Sequence, residues 1–159
     1  MKFSEFVCCD AIIPNLQAKD RNGAITELVL SLNKAGCLGK EDCEKIIKAV
    51  KKREDEASTG MGKGVAIPHI KHPAVKDVIA AVGQSSGGID FSSLDKQPVY
   101  SVILLISPVD NPDKHLQAME VIFKCLQHDR FRKFLRQSQS AKQIMELFKE
   151  VDENPSLYN

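Results

Sequence analysis

Five consecutive apolar residues, 102–106, lie within the stretch 99–106, which contains few polar side chains. A strand with one solvated face alternates apolar and polar residues, whereas a strand covered on both faces is apolar almost throughout. The stretch therefore predicts a central strand of a covered sheet. It is too short for a membrane helix, which needs about 20 apolar residues.

Further strands and turns are predicted on either side of this strand. Short apolar stretches at 65–67 and 78–82 predict strands. Glycine- and serine-containing stretches at 87–88 and 92–95 predict turns between strands. The middle of the chain therefore supplies the strands of one sheet.

Helices are predicted before and after the strands. Apolar residues at i, i+3, i+4 and i+7 in 24–35 predict an amphipathic helix, with Asp20 or Asn22 as its N-cap and Gly36 as its stop. A second helix is predicted over 41–53. A third helix begins at Asn111, and a fourth at Ser140. The third helix is expected to bury Leu116, Met119, Ile122, Phe123 and Leu126. The sequence thus predicts a single-domain α/β layered fold, with helices packed on one sheet.

Length and composition limit the classes of function. The chain has 159 residues, of which 43% are hydrophobic and 27% charged, as is typical of one folded domain. We expect this domain to cover residues 1–150 and residues 151–159 to form a polar C-terminal tail. A net charge of +1 provides no cationic surface for nucleic acid. Glu5 and Asp10 lie where a signal peptide would be apolar, so we expect a cytoplasmic protein without direct membrane insertion.

Two histidines follow the carboxyl ends of predicted strands. Three alternate glycines at 60, 62 and 64 predict a loop with unusual backbone angles, which leads into the strand 65–67 and then to His69. His115 lies in the first turn of the helix that follows the strand ending at Ile106. If the two strands are parallel neighbours, both side chains lie at the edge where open α/β sheets bind ligands.

Histidines beside a glycine-rich loop and a helix start are suited to handling a phosphoryl group. A neutral imidazole is a nucleophile near pH 7, because its ordinary pKa is about 6.5. His69 is the candidate nucleophile, His115 can donate an N–H to a phosphoryl oxygen, and Arg53 can bind such oxygens in a bidentate manner. The backbone N–H groups at the helix start near Asn111 add further donors.

Other interpretations of these residues remain open from their pattern alone. A histidine at a strand end often has a structural role, and Arg53 lies in the charged run 51–56, which is typical of a solvated helix face. His69, His72 and His115 could instead hold a metal ion, although the sequence has no His-Glu-x-x-His motif. The glycine loop does not match a P-loop, and neither Ser58 nor Ser107 lies in the Gly-x-Ser-x-Gly motif of α/β-hydrolases.

Residues 58–69, which include the string Gly-Val-Ala-Ile-Pro-His at 64–69, resemble the active-site signature of the enzyme IIA components of the bacterial phosphotransferase system. The similar branch is the fructose, mannitol and nitrogen-regulatory type. The resemblance extends in the family's order over about residues 12–147. Further matching stretches lie at 53–54, 88–95, 98–99, 104–108 and 115–117.

The resemblance implies a mixed sheet flanked by helices, a phosphoryl group carried on His69, and His115 as the second active-site histidine. It also implies that Arg53 lies near the phosphoryl group and that Ser58 and Thr59 line the site. The implied donor is a small phosphocarrier protein of the HPr type, the recipient is a IIB component, and no cofactor or metal is expected. The alternative is a regulatory protein of the nitrogen branch, in which phosphorylation switches binding to a target protein.

Partner docking implies an accessible nucleophile. We expect His69 to be exposed on a shallow face with an apolar rim, to which Met61, Val65 and Ile70 contribute. Lys63 and Ile70 stand where small residues are common in the similar family. These two differences concern the surface that a partner contacts rather than phosphorylation itself.

Overall fold

The apolar stretch 99–106 lies at the centre of a six-stranded mixed sheet in the computed structural model, which describes residues 1–159. The strands are β1 (Val7–Ile13), β2 (Gly60–Gly62), β3 (Val65–Ala66), β4 (His69–Lys71), β5 (Ile79–Ile89) and β6 (Val99–Ser107). The helices are α1 (Arg21–Lys34), α2 (Lys40–Glu56), α3 (Pro112–Leu126), α4 (Asp129–Gln137) and α5 (Ala141–Glu153), with short 3-10 helices at Phe3–Glu5 and Pro155–Tyr158. None of the five α-helices combines the length and the hydropathy needed to cross a lipid bilayer.

The sheet places β6 between two sets of neighbours. The strand order is β1-β5-β6-β3-β2, and β4 also pairs with β6. β5 is antiparallel to β6, whereas β3 and β4 both run parallel to it. Val65 lies opposite Ser101 and His69 lies opposite Leu105, so β3 and β4 form one interrupted strand along the same side of β6. The central position predicted for the stretch 99–106, which is β6, is therefore confirmed.

Helices cover both faces of the sheet, which confirms the predicted layered α/β fold. Alternate β6 residues point to opposite faces, because successive side chains of a strand do so. Ile103 and Leu105 join the apolar cluster that α3, α4 and α5 cover. Val102 and Leu104 join the cluster that α1 and α2 cover. Burial on both faces explains why β6 is apolar along nearly its whole length.

The glycine-rich segment forms a tight hairpin between β2 and β3. Gly62 and Gly64 have φ values of +91° and +80°, and Lys63 between them has a φ of +59°. This left-handed conformation is readily accessible to glycine and uncommon for lysine. The backbone N–H of Lys63 donates to the carboxylate of Asp95 at 2.8 Å, which stabilises the turn. The predicted unusual angles are present, but within a strand pair rather than an open loop.

The predicted helix boundaries agree with the structure where a capping residue marks them. The Asp20 carboxylate accepts a hydrogen bond from Gly23 N at 2.6 Å at the start of α1. The helix is followed by Gly36, whose φ is +80°. The Asn111 side chain accepts a hydrogen bond from Lys114 N at 3.4 Å at the start of α3. Each cap satisfies a backbone donor that has no partner within the helix.

The buried face of α3 differs from the predicted stripe. Leu116 is 64% exposed and Phe123 is 36% exposed, whereas His115, Ala118 and Cys125 are buried. The prediction followed the largest apolar side chains. The face that packs on the sheet buries the predicted Ile122 and Leu126, but it also carries smaller residues and a histidine. As a result, Leu116 is exposed directly beside buried His115.

The predicted turn at 87–88 is wrong, because β5 continues through it. The pairing register between β5 and β6 shifts between Gln84 and Ile89, which is the mark of a bulge or similar irregularity. Gly88 has a φ of +83°, and a Cβ at this position would lie 2.8 Å from the Cβ of Pro98. Glycine here allows a close approach within the strand pair rather than a reversal of the chain.

The C-terminal segment 151–159 packs on the domain, which differs from the expected polar tail. Helix α5 continues past residue 150, and Val151 and Tyr158 are buried in the cluster beneath α3, α4 and α5. The Asp152 carboxylate accepts a hydrogen bond from the N–H of Phe3 at 2.7 Å. A few well-placed residues therefore attach a mostly polar segment to the core.

Candidate functional site

His69 is the first residue of β4, directly after the break that follows β3. It is half-buried, and its Nδ1 lies 2.8 Å from the carbonyl oxygen of Ile67. A carbonyl oxygen only accepts hydrogen bonds, so Nδ1 carries the proton and donates it. In the neutral imidazole, the lone pair is then on Nε2. The backbone before the histidine therefore leaves Nε2 as the basic atom of the ring.

His115 lies in the first turn of α3 and faces the end of β6. Its ring centroid is 5.7 Å from that of His69. Its Nδ1 lies 2.7 Å from the hydroxyl oxygen of Ser107, the last residue of β6. The convergence of the two histidines, which depended on parallel neighbouring strands, is confirmed.

Burial lowers the pKa of His115 from its usual value of 6.5, and the positive charges of His69 and Lys71 lower it further. Only 8% of the residue is exposed. An imidazole in this environment favours its neutral form, because the charged form loses hydration and meets neighbouring cations. In its neutral form, His115 donates a hydrogen bond from one ring nitrogen and accepts a hydrogen bond at the other.

Ser58 and Thr59 lie in the loop that connects α2 to β2. The Ser58 hydroxyl donates to the carbonyl oxygen of Phe91, and the Thr59 hydroxyl donates to the Glu54 carboxylate. The Thr59 carbonyl accepts a hydrogen bond from Ile67 N at 3.2 Å. The two hydroxyl groups thus use their protons to hold the loop to Phe91 and to Glu54, and the Thr59 carbonyl connects it to the segment that leads to His69.

Arg53 lies near the end of α2, the helix that packs against β4. It is half-buried, and its Nη1 donates to the Ala57 carbonyl at 2.8 Å. It forms no ion pair with a carboxylate. The neighbouring Lys52 is exposed, as expected for a solvated face, but Arg53 is partly shielded. Its remaining N–H donors are not held by an acidic side chain.

Two residues of this region, Glu54 and Ser107, were not among the predicted site residues. Glu54 continues the buried face of α2 that includes Cys43, Ile46 and Val50. Ser107 continues the alternation of β6 that places residues 103 and 105 under α3. In both cases the helical or strand periodicity indicates the buried position, but the partner lies in the loop or helix that follows, and periodicity does not identify it.

Other predicted features of the site have different outcomes. His72 does not join His69 and His115 in a group of side chains that could hold a metal ion. Its Nδ1 instead accepts a hydrogen bond from Ala74 N at 3.0 Å.

Val65 was expected on the rim but is buried in the core, because β3 lies beneath the helices. Met61 and Ile70 are partly exposed, and Val109 and Leu116 add exposed apolar surface to α3 and the segment before it.

Comparison with known proteins gives a consistent result. The family model described as "Phosphoenolpyruvate-dependent sugar phosphotransferase system, EIIA 2" matches residues 5–151. A fructose-specific EIIABC component of the phosphotransferase system from Bacillus subtilis is 33% identical over 152 residues. That match covers 96% of this chain but only 24% of the relative. A nitrogen regulatory protein from Bradyrhizobium diazoefficiens is 33% identical over 144 residues, which cover 91% of this chain and 92% of the relative.

The fold is also similar to that of a solved structure. The crystal structure of the nitrogen regulatory protein IIA-Ntr from Neisseria meningitidis superposes with a TM-score of 0.82 and 23% sequence identity. The similarity covers 92% of this chain and 98% of the other. The family model matches most of the sequence, including both histidines and the loop before β2. The chain therefore belongs to the EIIA 2 family of the phosphoenolpyruvate-dependent sugar phosphotransferase system.

Proposed function

We propose that this protein accepts a phosphoryl group on Nε2 of His69 from an HPr-type phosphocarrier protein and passes it to a IIB component. The observation that carries the proposal is the hydrogen bond from His69 Nδ1 to the Ile67 carbonyl, made beside a second, buried histidine. This bond leaves a lone pair on the ring nitrogen that is farther from the backbone. A cytoplasmic location is part of the proposal.

The transfer needs no net movement of a proton at His69. The Nε2 lone pair attacks phosphorus, and the bond between phosphorus and its donor atom breaks as the new P–N bond forms. The Nδ1 proton stays on the ring, where the Ile67 carbonyl stabilises the positive charge that develops. Electrostatic stabilisation and positioning are the main contributions that a protein makes to phosphoryl transfer.

The surrounding residues have separate roles in the proposal. His115 donates an N–H to a phosphoryl oxygen, and Arg53 provides a positive charge and further N–H donors. Ser58 and Thr59 stabilise the phosphoryl group indirectly, because their hydroxyl protons are already used to hold the loop. The half-buried position of Arg53 near β4 supports its role, since partial burial strengthens the attraction between opposite charges.

A regulatory role in the nitrogen branch is the second candidate function. The similarity to a nitrogen regulatory protein over nine-tenths of both chains favours it. In this role the phosphoryl group on His69 would add negative charge to the surface around Val109 and Leu116 and so change binding to a target protein. The first phosphorylation step is the same in both roles, and only the recipient differs.

The common step is tested by labelling the purified protein with radioactive phosphoenolpyruvate, enzyme I and HPr. We expect label on the wild-type protein and on His72→Ala, but none on His69→Ala. His72 is the matched control, because it is a nearby histidine whose Nδ1 accepts only a local backbone hydrogen bond. Label that persists on His69→Ala would contradict the proposal.

The recipient is tested by adding a purified IIB domain of the fructose type to the labelled protein. Rapid movement of label to IIB supports the transport role. Retention of label on His69, together with a binding partner that distinguishes the phosphorylated from the unphosphorylated form, supports the regulatory role instead.

A further inference from the structure

Ser107 and His115 form an isolated pair in the interior of the protein. Ser107 is fully buried, and its hydroxyl oxygen lies 2.7 Å from Nδ1 of His115. The Ser107 hydroxyl forms no other hydrogen bond. The imidazole is therefore the single partner available for the hydroxyl proton.

The pair can form its hydrogen bond in two directions. If Nδ1 of His115 carried the proton and donated it, the Ser107 hydroxyl proton would have no acceptor. A buried hydroxyl group without an acceptor is unfavourable. If Ser107 donates to an unprotonated Nδ1 instead, the hydroxyl is satisfied and the neutral ring carries its proton on Nε2. Burial, which lowers the pKa of His115, is consistent with a neutral ring that has an acceptor nitrogen.

We propose that Ser107 is a positioning residue that fixes His115 in the tautomer with the proton on Nε2. The consequence for phosphoryl transfer rests on the function proposed above. The Ile67 carbonyl leaves His69 with a lone pair on Nε2, whereas Ser107 leaves His115 with an N–H at Nε2. One ring is then prepared to bind phosphorus, and the other to donate to a phosphoryl oxygen.

The tautomer is measured directly by NMR. We expect a long-range proton–nitrogen correlation spectrum of the unphosphorylated, nitrogen-15-labelled protein to show His115 with Nε2 protonated and Nδ1 unprotonated. Ser107→Ala should shift the ring toward a mixture of tautomers, and Ser107→Thr, which keeps a hydroxyl, should restore the single form. Ser101→Ala is the matched control, because it removes another buried β6 hydroxyl, one bonded to Gln84 rather than to a histidine.

The kinetic measurement separates positioning from folding. We expect Ser107→Ala to lower kcat for transfer from phosphorylated HPr by about 2- to 12-fold, the equivalent of one hydrogen bond, with the KM for HPr unchanged. Ser107→Thr should recover kcat.

Two results would overturn the proposal: a wild-type His115 that carries its proton on Nδ1, or a tautomer that is the same in Ser107→Ala as in the wild type. The NMR measurement needs no phosphoryl donor. Failure to label His69 would therefore overturn the proposed function. The role of Ser107 in fixing the His115 tautomer would still be decided by the NMR measurement.

Discussion

The buried carboxylate of Glu54 accepts hydrogen bonds from both the backbone N–H and the hydroxyl group of Thr59. Glu54 is 2% exposed and lies in the last turn of α2. The carbonyl of Thr59 in turn accepts a hydrogen bond from Ile67 N. These bonds connect the end of α2 to the segment whose carbonyl orients His69.

Replacing Glu54 with glutamine should loosen this connection. The amide of Glu54→Gln has one acceptor oxygen for two donors, and its NH2 group would face one of those donors. We expect the free energy of unfolding to fall by about 1–3 kcal/mol, the cost of leaving a buried polar group unsatisfied. Urea denaturation measures the change. Glu56→Gln is the matched control, because Glu56 is an exposed residue of the same helix end. Equal stability of Glu54→Gln and the control would contradict the structural role of Glu54.

The pKa of His115 predicts how stability depends on pH. Burial, followed by the charges of His69 and Lys71, lowers this pKa from 6.5, so the unfolded chain binds the proton more readily than the folded protein. Stability contributed by neutral His115 is therefore present above pH 6.5 and is lost as the pH falls from that value toward the folded-state pKa.

Urea denaturation at about pH 7 and about pH 5.5 measures this effect. The wild type should lose more stability between the two values than His115→Gln, in which no group titrates at this position. His72→Gln, which removes a half-buried histidine whose Nδ1 accepts a hydrogen bond from Ala74 N, should keep the wild-type dependence. An identical loss of stability in the wild type and His115→Gln would show that the imidazole does not titrate in this way.

Local patterns predicted the parts of the fold that depend on neighbouring residues. The apolar run of β6 indicated its central position, and Asn111 and Ser140 marked helix starts. The stretches that form β1, β2 and β4 were not predicted as strands. β4 contains only His69, Ile70 and Lys71, and so few residues show no strand alternation. It becomes a strand because β6 offers a free edge beyond the end of β3.

The site was predictable to a similar degree. The chain order places His69 after the predicted strand 65–67 and His115 after the strand that ends at Ile106, and the parallel pairing with β6 brings the two histidines together. The partners that fix each ring could not be deduced, because they depend on three-dimensional contacts. Ser107 contacts His115 across the turn between β6 and α3. Glu54 holds its loop through a carboxylate that charge patterning alone would place in solvent.

The close approach of β2 to the loop that precedes β6 predicts that Gly60 cannot be replaced freely. A Cβ on Gly60 would lie 3.0 Å from the Cα of Ser93, and it would overlap with the Ser93 hydroxyl, which is buried and has no hydrogen-bond partner. We expect Gly60→Ala to lower the free energy of unfolding by about 1–3 kcal/mol through overpacking.

Gly87→Ala is the matched control for this substitution, because no atom lies within 4 Å of the corresponding Cβ. Thermal or urea denaturation of the two variants decides the point. A Gly60→Ala protein as stable as Gly87→Ala would mean that the Ser93 segment moves away without cost.

The packing of residues 151–159 predicts that the domain is destabilised when the chain ends at residue 150. Such a truncation removes the buried side chains of Val151 and Tyr158, each of which contributes about 1.5–3 kcal/mol when fully buried. It also removes the Asp152 carboxylate that binds the N–H of Phe3. We expect the free energy of unfolding to fall by at least about 3 kcal/mol, as measured by urea denaturation. A chain that lacks only the exposed Asn159 should match the full protein. If the chain of residues 1–150 were as stable as the full chain, the last nine residues would be the dispensable polar tail that their composition suggests.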